Sequence, residues 1–181
     1  MKNSNDDLLL LVDKNDKIIG FETKTRCHKG SGLLHRAFSA FIFNDKGQLL
    51  IHQRSKYKPL WPLHWSNSYC SHPRYGETYE QGASRRGKQE LGITVKPKYL
   101  YKFIYHVPYK KIGSEYELCA VLVGKHTGKV RFNPEEVANF KFIDLADLKK
   151  DIKANPDKYT PWFKMELAKL QKDFRKEIGM K

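Results

Sequence analysis

Cysteine and long apolar runs are scarce in this sequence. The 181 residues include three cysteines, Cys27, Cys70 and Cys119. An odd number of cysteines argues against a disulfide framework and predicts a protein of the reducing cytoplasm. The N-terminal apolar run, 8–12, follows two aspartates and is too short for a secretory signal or a membrane span. We therefore expect no membrane-spanning segment.

Acidic residues are few relative to basic ones. The chain has 34 lysines and arginines against 20 aspartates and glutamates, a formal net charge of +14. Such a surface suits nucleic acid, an anionic membrane or an anionic small substrate. A solvated lysine face on a helix in the last third accounts for much of the excess. Because the sequence has no basic block interleaved with stacking aromatics, we expect a small-molecule partner and no nucleic acid.

The apolar content is sufficient for one ordinary core. Hydrophobic residues make up 40% and aromatic residues 13% of the chain. We predict a single domain over 1–181, with a core at about 8–165 and a basic C-terminal helix at about 160–178. Apolar and alternating segments predict strands at 8–12, 18–22, 34–43, 48–54, 99–107 and 115–124, shorter candidates at 130–132 and 140–143, and a loop at 23–32.

A helix is predicted between these strands. Thr78 followed by Gln81 fits a capping box, and Gly92 fits the residue that ends a helix, so the helix should span 79–91. Asp144 should cap a further helix, and Pro161 should begin the C-terminal one. Strands that precede, interrupt and follow a central helix predict an α+β fold with a mixed sheet.

The stretch 65–92 gathers reactive side chains around this helix. Cys70 and His72 are two residues apart in a segment closed by Pro73. Arg86 and Glu90 are one helical turn apart and share a face. A thiol, an imidazole and carboxylates in this arrangement suit a metal site or acid–base chemistry better than a core.

Other carboxylates and imidazoles could complete a metal site. Glu115 and Glu117 point to one strand face, where their charges repel unless a cation or a proton intervenes; solvated glutamates at an exposed strand start are the alternative. His28, His35 and His72 lie near loop or strand ends, and with the two glutamates they would suit a divalent ion. Four basic residues could form a phosphate clamp: Lys24, Arg54, Lys58 and Arg86. Because the chain has 34 basic residues, this selection is weak evidence on its own.

Four segments together resemble a known family. Residues 65–73 read Trp-Ser-Asn-Ser-Tyr-Cys-Ser-His-Pro, and 34–39 read Leu-His-Arg-Ala-Phe-Ser. Residues 115–119 read Glu-Tyr-Glu-Leu-Cys, and 159–162 read Tyr-Thr-Pro-Trp. With these motifs in order, the chain resembles the type 1 isopentenyl diphosphate isomerases from about residue 8 to 162. The resemblance implies the Nudix fold, a mixed sheet sandwiched between helices, with additional N-terminal strands and a C-terminal helix.

The Nudix box tests this resemblance. Its pattern is Gly, five residues, Glu, seven residues, then Arg-Glu-aliphatic-x-Glu-Glu-x-Gly-aliphatic. Anchored on Gly92, the sequence keeps Glu77, Arg85, Glu90, Gly92 and Ile93 and departs at Ser71, Arg86, Gly87 and Gln89. Two acids that Nudix hydrolases use to bind metals are lost, which argues against diphosphate hydrolysis and is typical of the isomerases.

The resemblance implies roles for the matching residues. One divalent metal, Mg²⁺ with Mn²⁺ or Zn²⁺ as alternatives, would be bound by His28, His35, His72, Glu115 and Glu117. Glu90 would help to hold a second Mg²⁺ that bridges to the substrate diphosphate. That diphosphate would be gripped by Lys24, Arg54, Lys58 and Arg86. Cys70 and Glu117 would be the acid–base pair, Tyr105 would assist Glu117, and Trp162 would cover the hydrocarbon end. We expect a monomer.

These residue types suit the isomerisation of isopentenyl to dimethylallyl diphosphate in isoprenoid biosynthesis. The reaction protonates an unactivated double bond and removes another proton through a tertiary carbocation, so it needs a positioned acid in a dry pocket. Either Cys70 or Glu117 could act first. A desolvated indole face, as at Trp162, stabilises a cation by about 2 kcal/mol.

Two other functions stay open at this point. A Nudix hydrolase of a nucleoside diphosphate derivative would release phosphate or pyrophosphate and would have no use for the pair of Cys70 and Glu117. A basic nucleic-acid-binding protein on a Nudix scaffold would be retained on nucleic acid in a salt-sensitive manner, without turnover of isopentenyl diphosphate.

Overall fold

The computed structural model describes residues 8–179. The strands are β1 Leu8–Val12, β2 Ile18–Thr23, β3 His35–Phe43, β4 Leu49–Arg54, β5 Trp65–Ser66, β6 Tyr69–Ser71, β7 Lys98–Tyr109, β8 Gly113–Lys125 and β9 Val137–Ile143. The α-helices are α1 Lys24–His28, α2 Tyr79–Leu91, α3 Leu145–Ala154 and α4 Pro161–Asp173. A 3₁₀ turn, Pro156–Lys158, precedes α4. No helix within 8–179 is long and apolar enough to cross a membrane.

Strand β3 lies at the centre of a mixed, nine-stranded sheet. It pairs antiparallel with β1, β4 and β6 and parallel with β8. Strands β2, β5, β7 and β9 extend the sheet from these partners. Along β3, Phe41 and Phe43 face one core cluster, and Ala40 and Ile42 face the other. Burial on both faces explains why the second half of β3, residues 40–43, is entirely apolar.

A helix covers each face of the sheet. On one face, α2 buries Ala83 and Leu91 in the cluster that contains Ile42. On the other face, α4 buries Phe163 and Leu167 in the cluster that contains Phe41. The predicted α+β class, with a mixed sheet between helices, is confirmed.

Helix α2 begins and ends where the sequence predicts. Gln81 N donates to Thr78 Oγ1 at 3.2 Å, and Thr78 N donates to Gln81 Oε1 at 2.8 Å, which completes the capping box. Gly92 has φ 63°, the left-handed conformation of a helix end. Inside the helix, a Cβ at Gly87 would lie 3.0 Å from the hydroxyl oxygen of Tyr69. The bulk of Tyr69 therefore accounts for a glycine where the Nudix pattern has an aliphatic residue.

Two segments contain regular structure that the sequence does not predict. The predicted loop 23–32 includes α1, because Thr23 Oγ1 accepts a hydrogen bond from Arg26 N and begins a helical turn. Segment 65–73 includes β5 and β6, which pair with β4 and β3. In both cases the signal in the sequence is a single short turn or bridge, below the length at which periodicity is readable.

Three other expectations differ from the structure. Residues 130–132 form no strand; Arg131 N instead donates to Leu91 O at the end of α2. Asp144 precedes α3, but its side chain accepts from Gln48 Nε2 at 3.1 Å and makes no cap. Helix α4 ends at Asp173 and not near 178. The next residue, Phe174, stacks its ring on Tyr101 with centroids 5.0 Å apart.

A carboxylic acid is buried between α4 and the sheet. Glu166 is fully buried, and Cys119 Sγ donates to its Oε1 at 3.6 Å. Its Oε2 has no hydrogen-bond partner among residues 8–179. Burial raises the pKa of Glu166 to about 8, so this side chain is mainly neutral at pH 7.

This buried acid makes stability depend on pH. Between its ordinary pKa of 4.5 and the folded value of about 8, the folded state holds a proton that the unfolded state loses. Stability therefore falls as pH rises through that window, by up to about 1.4 kcal/mol per pH unit. We predict that Glu166→Gln removes this fall, so the variant gains stability relative to the parent with rising pH.

Thermal unfolding from about pH 5 to about pH 8 measures the effect. The control is Glu177→Gln, which removes an exposed acid from the same end of the chain and should leave the pH profile unchanged. Parallel profiles for Glu166→Gln and the parent protein would contradict the assignment of a neutral Glu166.

Candidate functional site

The register of β3 and β8 places a histidine beside a glutamate. His35 lies opposite Glu117 in this parallel pair, and His35 Nε2 is 3.6 Å from Glu117 Oε1. Glu115 lies two residues earlier on the same face of β8. Both glutamates are 7% exposed and both line one cavity. The predicted carboxylate pair is therefore buried, not solvated at an exposed strand start.

Two further histidines reach this point from different elements. His28 is the last residue of α1, one turn after Lys24. His72 follows β6, and Arg85 Nη2 donates to its carbonyl oxygen at 3.3 Å. Arg85 also donates to both carboxylate oxygens of Glu77, at 2.7 and 2.9 Å. The retained Nudix-box residues thus support the loop that carries His72.

The side chains form a compact cluster of possible ligand atoms. One such atom from each of His28, His35, His72 and Glu117 lies within 4.8 Å of the others. Nδ1 of His28 lies 2.7 Å from Lys24 O, and Nδ1 of His35 lies 2.8 Å from Leu33 O. Because a carbonyl oxygen only accepts, each Nδ1 carries a proton, and each ring turns its Nε2 toward the cluster.

The close contacts within the cluster, and between His28 and the neighbouring Glu115, call for a cation or a proton. His28 Nε2 is 2.8 Å from Glu115 Oε2, an oxygen with no hydrogen-bond partner among the described residues. His35 Nε2 is 3.2 Å from His72 Nε2. Lone pairs that face each other at these distances repel unless a positive charge lies between them. Three imidazoles and two carboxylates are ligands that a divalent ion accepts, so the cluster could hold a metal ion.

Burial and neighbouring charges set the protonation of these groups. Burial holds the pKa of His72 well below its usual range, and the nearby His35 and Lys24 add to this. For His28, burial opposes the charge, but Glu115 raises the pKa above its ordinary value. Burial alone would raise the pKa of Glu117, but His35 and Tyr105 lower it. His72 is therefore neutral and Glu117 is ionised, the forms in which these side chains could bind a metal ion.

A cavity of about 450 Å³ connects the cluster to cationic side chains. Part of its wall is apolar and consists of Pro59, Leu60 and Ile112. Most of the residues predicted to form the site line this cavity: Lys24, His28, Arg54, Lys58, Cys70, His72, Arg86, Glu115 and Glu117. Positive charge, imidazoles, carboxylates and a thiol thus surround one space that is large enough for a small anionic molecule.

Cys70 supplies the thiol of the cavity lining. It pairs with Ser39 across β6 and β3 and is partly exposed. Burial raises the pKa of its thiol to about 12, so the thiol carries its proton at neutral pH.

The remaining predicted site residues lie behind the cavity wall. Tyr105 donates its hydroxyl proton to Glu117 Oε2 at 2.6 Å, and burial raises the pKa of Tyr105 well above its ordinary value. His35 is fully buried. Glu90 is 2% exposed and accepts from Arg86 Nη2 at 2.7 Å, and it does not belong to the cluster of ligand atoms around Glu117.

Trp162 is a buried residue beside the cavity, not part of its lining. It is 1% exposed and stacks on Tyr105 with centroids 6.2 Å apart. The guanidinium of Arg54 lies over its ring at 5.2 Å. Arg54 is itself fixed, because its Nε and Nη2 donate to the carbonyl oxygens of Trp61 and Leu60 at 3.0 and 2.9 Å.

Comparison with known proteins places this site in a family. The NUDIX domain family matches residues 33–163. The chain is 46% identical to isopentenyl-diphosphate Delta-isomerase 1 of Photorhabdus laumondii over 171 residues. This alignment covers 93% of this chain and 97% of that protein. It is 39% identical to the isopentenyl-diphosphate Delta-isomerase of Serratia proteamaculans over 158 residues, an alignment that covers 87% of this chain and 88% of that protein.

The chain belongs to the isopentenyl-diphosphate Delta-isomerases, a family with the NUDIX domain. The resemblance found in the sequence motifs is thereby confirmed.

Solved structures of low sequence identity share the fold. A protein of Deinococcus radiodurans superimposes with a TM-score of 0.66 at 24% identity, over 82% of this chain and 90% of that one. The MutT protein of Methanosarcina mazei Go1 gives a TM-score of 0.65 at 17% identity, over 78% and 96%. At these identities the likeness shows the Nudix fold alone.

One residue of this isomerase-family site is missing from the sequence predictions. Glu136 forms ion pairs with Lys58 and with Arg86 Nη2, the latter at 3.1 Å. Glu136 lies 78 residues after Lys58. The sequence offers no short-range signal for that contact, since it depends on the pairing of β4 with β9.

The placement of His28 yields a prediction. A Cβ at Gly113 would lie 2.1 Å from His28 O, so an alanine there forces α1 away from β8. We predict that Gly113→Ala weakens Mn²⁺ binding by about tenfold or more, the usual scale for displaced metal-site supports. Calorimetric titration measures the affinity.

The matched control is Gly20→Ala, whose Cβ would meet Leu11 Cδ1 at an ordinary 3.8 Å. Circular dichroism reports whether each variant is folded. Unchanged Mn²⁺ affinity in folded Gly113→Ala would show that the position of His28 does not matter for the ion.

Proposed function

We propose that this protein interconverts isopentenyl diphosphate and dimethylallyl diphosphate. The observation that carries the proposal is that Cys70 and Glu117 line the same cavity as His28, His72 and the assigned cations Lys24, Arg54, Lys58 and Arg86. The names of the family's curated members support the same reaction. The three thiols of the chain are free, a state typical of the cytoplasm, where we place the protein. The monomeric state stays a prediction.

The substrate's diphosphate is bound by the cationic side of the cavity. Arginine forks and lysine ammonium groups recognise phosphate oxygens through charge-assisted hydrogen bonds. The four groups assigned to this contact are Lys24, Arg54, Lys58 and Arg86. The hydrocarbon end then meets the apolar wall, which includes Leu60 and Ile112. Because the diphosphate is remote from the reacting carbons, its binding energy serves to orient them.

The ion at the cluster is assigned as Mg²⁺, with Mn²⁺ or Zn²⁺ as alternatives, and its ligands as His28, His35, His72, Glu115 and Glu117. When bound, a divalent ion offsets the charge of the two carboxylates and lowers the proton affinity of Glu117. Glu90 would help to hold a second Mg²⁺ beside the diphosphate. Its carboxylate accepts a hydrogen bond from Arg86 at 2.7 Å, so it would leave Arg86 to bind that ion.

Cys70 and Glu117 handle the two protons of the reaction. One proton is added to the terminal methylene carbon, and one is removed from the methylene carbon next to the cationic centre, so the proton count balances. One of the two residues gives its proton and the other takes one, in either order. Tyr105 holds Glu117 by the 2.6 Å hydrogen bond and keeps a neutral hydroxyl from which that carboxylate can exchange a proton. The surrounding side chains exclude water from the cation.

The test of the proposal is turnover in D₂O. The protein is incubated with isopentenyl diphosphate and Mg²⁺, and the products are followed by NMR. We expect dimethylallyl diphosphate that carries deuterium in a methyl group. Cys70→Ala should lose nearly all turnover while it keeps its metal content and thermal stability, because no other cavity thiol can replace it. Release of phosphate or pyrophosphate would identify a hydrolase instead, and more than a few per cent of activity in Cys70→Ala would make Cys70 a packing residue.

Substitutions of Trp162 distinguish a packing role from stabilisation of the carbocation. Its indole packs edge-on against Trp61 with centroids 5.1 Å apart, so any truncation costs stability. If its π-face also stabilises the carbocation, the catalytic rate falls in steps from Trp to Phe to Leu, each of about tenfold for about 1.4 kcal/mol. We predict this graded loss in kcat for Trp162→Phe and Trp162→Leu. Equal kcat values for the two variants, with different melting temperatures, would leave Trp162 a packing residue.

A further inference from the structure

Glu136 places a negative charge among the cations of the cavity. It accepts a hydrogen bond from Lys58 Nζ and another from Arg86 Nη2, the latter at 3.1 Å. Arg86 also donates to Glu90 at 2.7 Å. Two of the five lysine and arginine side chains that line the cavity are therefore bound to one carboxylate, and through Arg86 that carboxylate is linked to Glu90.

The backbone holds Glu136 firmly at this place. Ser55 N donates to Glu136 O at 3.1 Å, directly after β4. The next residue, Val137, lies opposite Arg54 in the pairing of β4 with β9. The amides of Glu136 and Val137 both donate to Asn133 O, at 3.0 and 2.9 Å. The strand pair that carries Arg54 thus also presents Glu136 to Lys58 and Arg86.

The charges explain what this carboxylate does for its neighbours. Burial opposes ionisation of Glu136, but Lys58 and Arg86 lower its pKa to about 2, so it is charged at neutral pH. The side chains of Lys58 and Arg86 are 18% and 13% exposed and share the cavity with Lys24 and Arg54. Without an anion between them, like charges repel, and the long lysine stem is free to turn outward.

We propose that Glu136 is a positioning residue that holds Lys58 and Arg86 ready to receive the substrate's diphosphate. It acts through these two cations and does not touch the reacting carbons. The inference rests on the proposed function, since it assigns the cationic side of the cavity to a diphosphate. Preorganised charges bind an anion without first paying to gather mobile side chains, so the effect belongs to binding and not to the proton transfers.

The experiment measures the binding of magnesium pyrophosphate by calorimetry and the kinetics with isopentenyl diphosphate. We expect Glu136→Gln to raise the pyrophosphate Kd and the KM by about tenfold, while kcat stays within about twofold. Glu136→Asp, which keeps the charge on a shorter stem, should recover part of the affinity. The matched control is Glu135→Gln, which removes the same charge from an exposed neighbour and should leave Kd and KM unchanged.

A double-mutant cycle shows whether Glu136 acts through Lys58. In a Lys58→Met background, Glu136→Gln should weaken pyrophosphate binding by a smaller factor than in the parent protein. Equal factors in the two backgrounds, or unchanged or tighter binding by Glu136→Gln, would overturn the proposal. A lower melting temperature of Glu136→Gln with unchanged Kd would assign it a structural role only. If Glu136→Gln does not fold, the proposal is decided by Glu136→Asp, whose unchanged Kd would overturn it.

The pyrophosphate measurement also separates this inference from the function. Loss of pyrophosphate affinity in Glu136→Gln, with no deuterated product from the parent protein, would retain the positioning role of Glu136 and overturn the proposed isomerase function. Normal isomerisation with equal Kd values for the parent and Glu136→Gln would retain the isomerase function and overturn the positioning role of Glu136.

Discussion

The parallel pairing of β3 with β8 brings His35 next to Glu117, and the rest of the site depends on this register. A slip of one residue would turn either side chain to the opposite face of the sheet, where Ala120 and Leu122 pack against α2. Strand β6 pairs with the other edge of β3 and brings Cys70 to the same region. Apolar packing on both faces of β3 therefore also fixes the polar groups at its start.

Two kinds of charge line the cavity. Imidazoles and carboxylates come from α1, β8 and the residue after β6, and lysine and arginine side chains come from α1, β4, α2 and the segment after β4. A divalent ion complements the first group and a diphosphate the second, so a metal-bound diphosphate satisfies both at once. Glu90 and Glu136 each accept a hydrogen bond from Arg86. This arrangement explains how a chain with a large positive charge can keep a site that needs carboxylates.

Local signals in the sequence predicted the local structure well. The capping box at Thr78 and the glycine at Gly92 gave both ends of α2, and alternation gave the shared face of Glu115 and Glu117. Contacts between distant segments were beyond those signals. The pairing of Lys58 with Glu136 and the place of Trp162 behind Arg54 depend on strand order and packing. The short helix α1 escaped prediction because one hydrogen bond, from Arg26 N to Thr23 Oγ1, begins it.

The position of the metal tests this account most directly. Crystals grown with Mn²⁺ would locate the ion by its anomalous scattering. The account predicts an ion bound by Nε2 of His28, His35 and His72 and by the carboxylates of Glu115 and Glu117. An ion held only by the α2 region, at Glu77 and Glu90 as in a diphosphate hydrolase, with none at the three histidines, would contradict it.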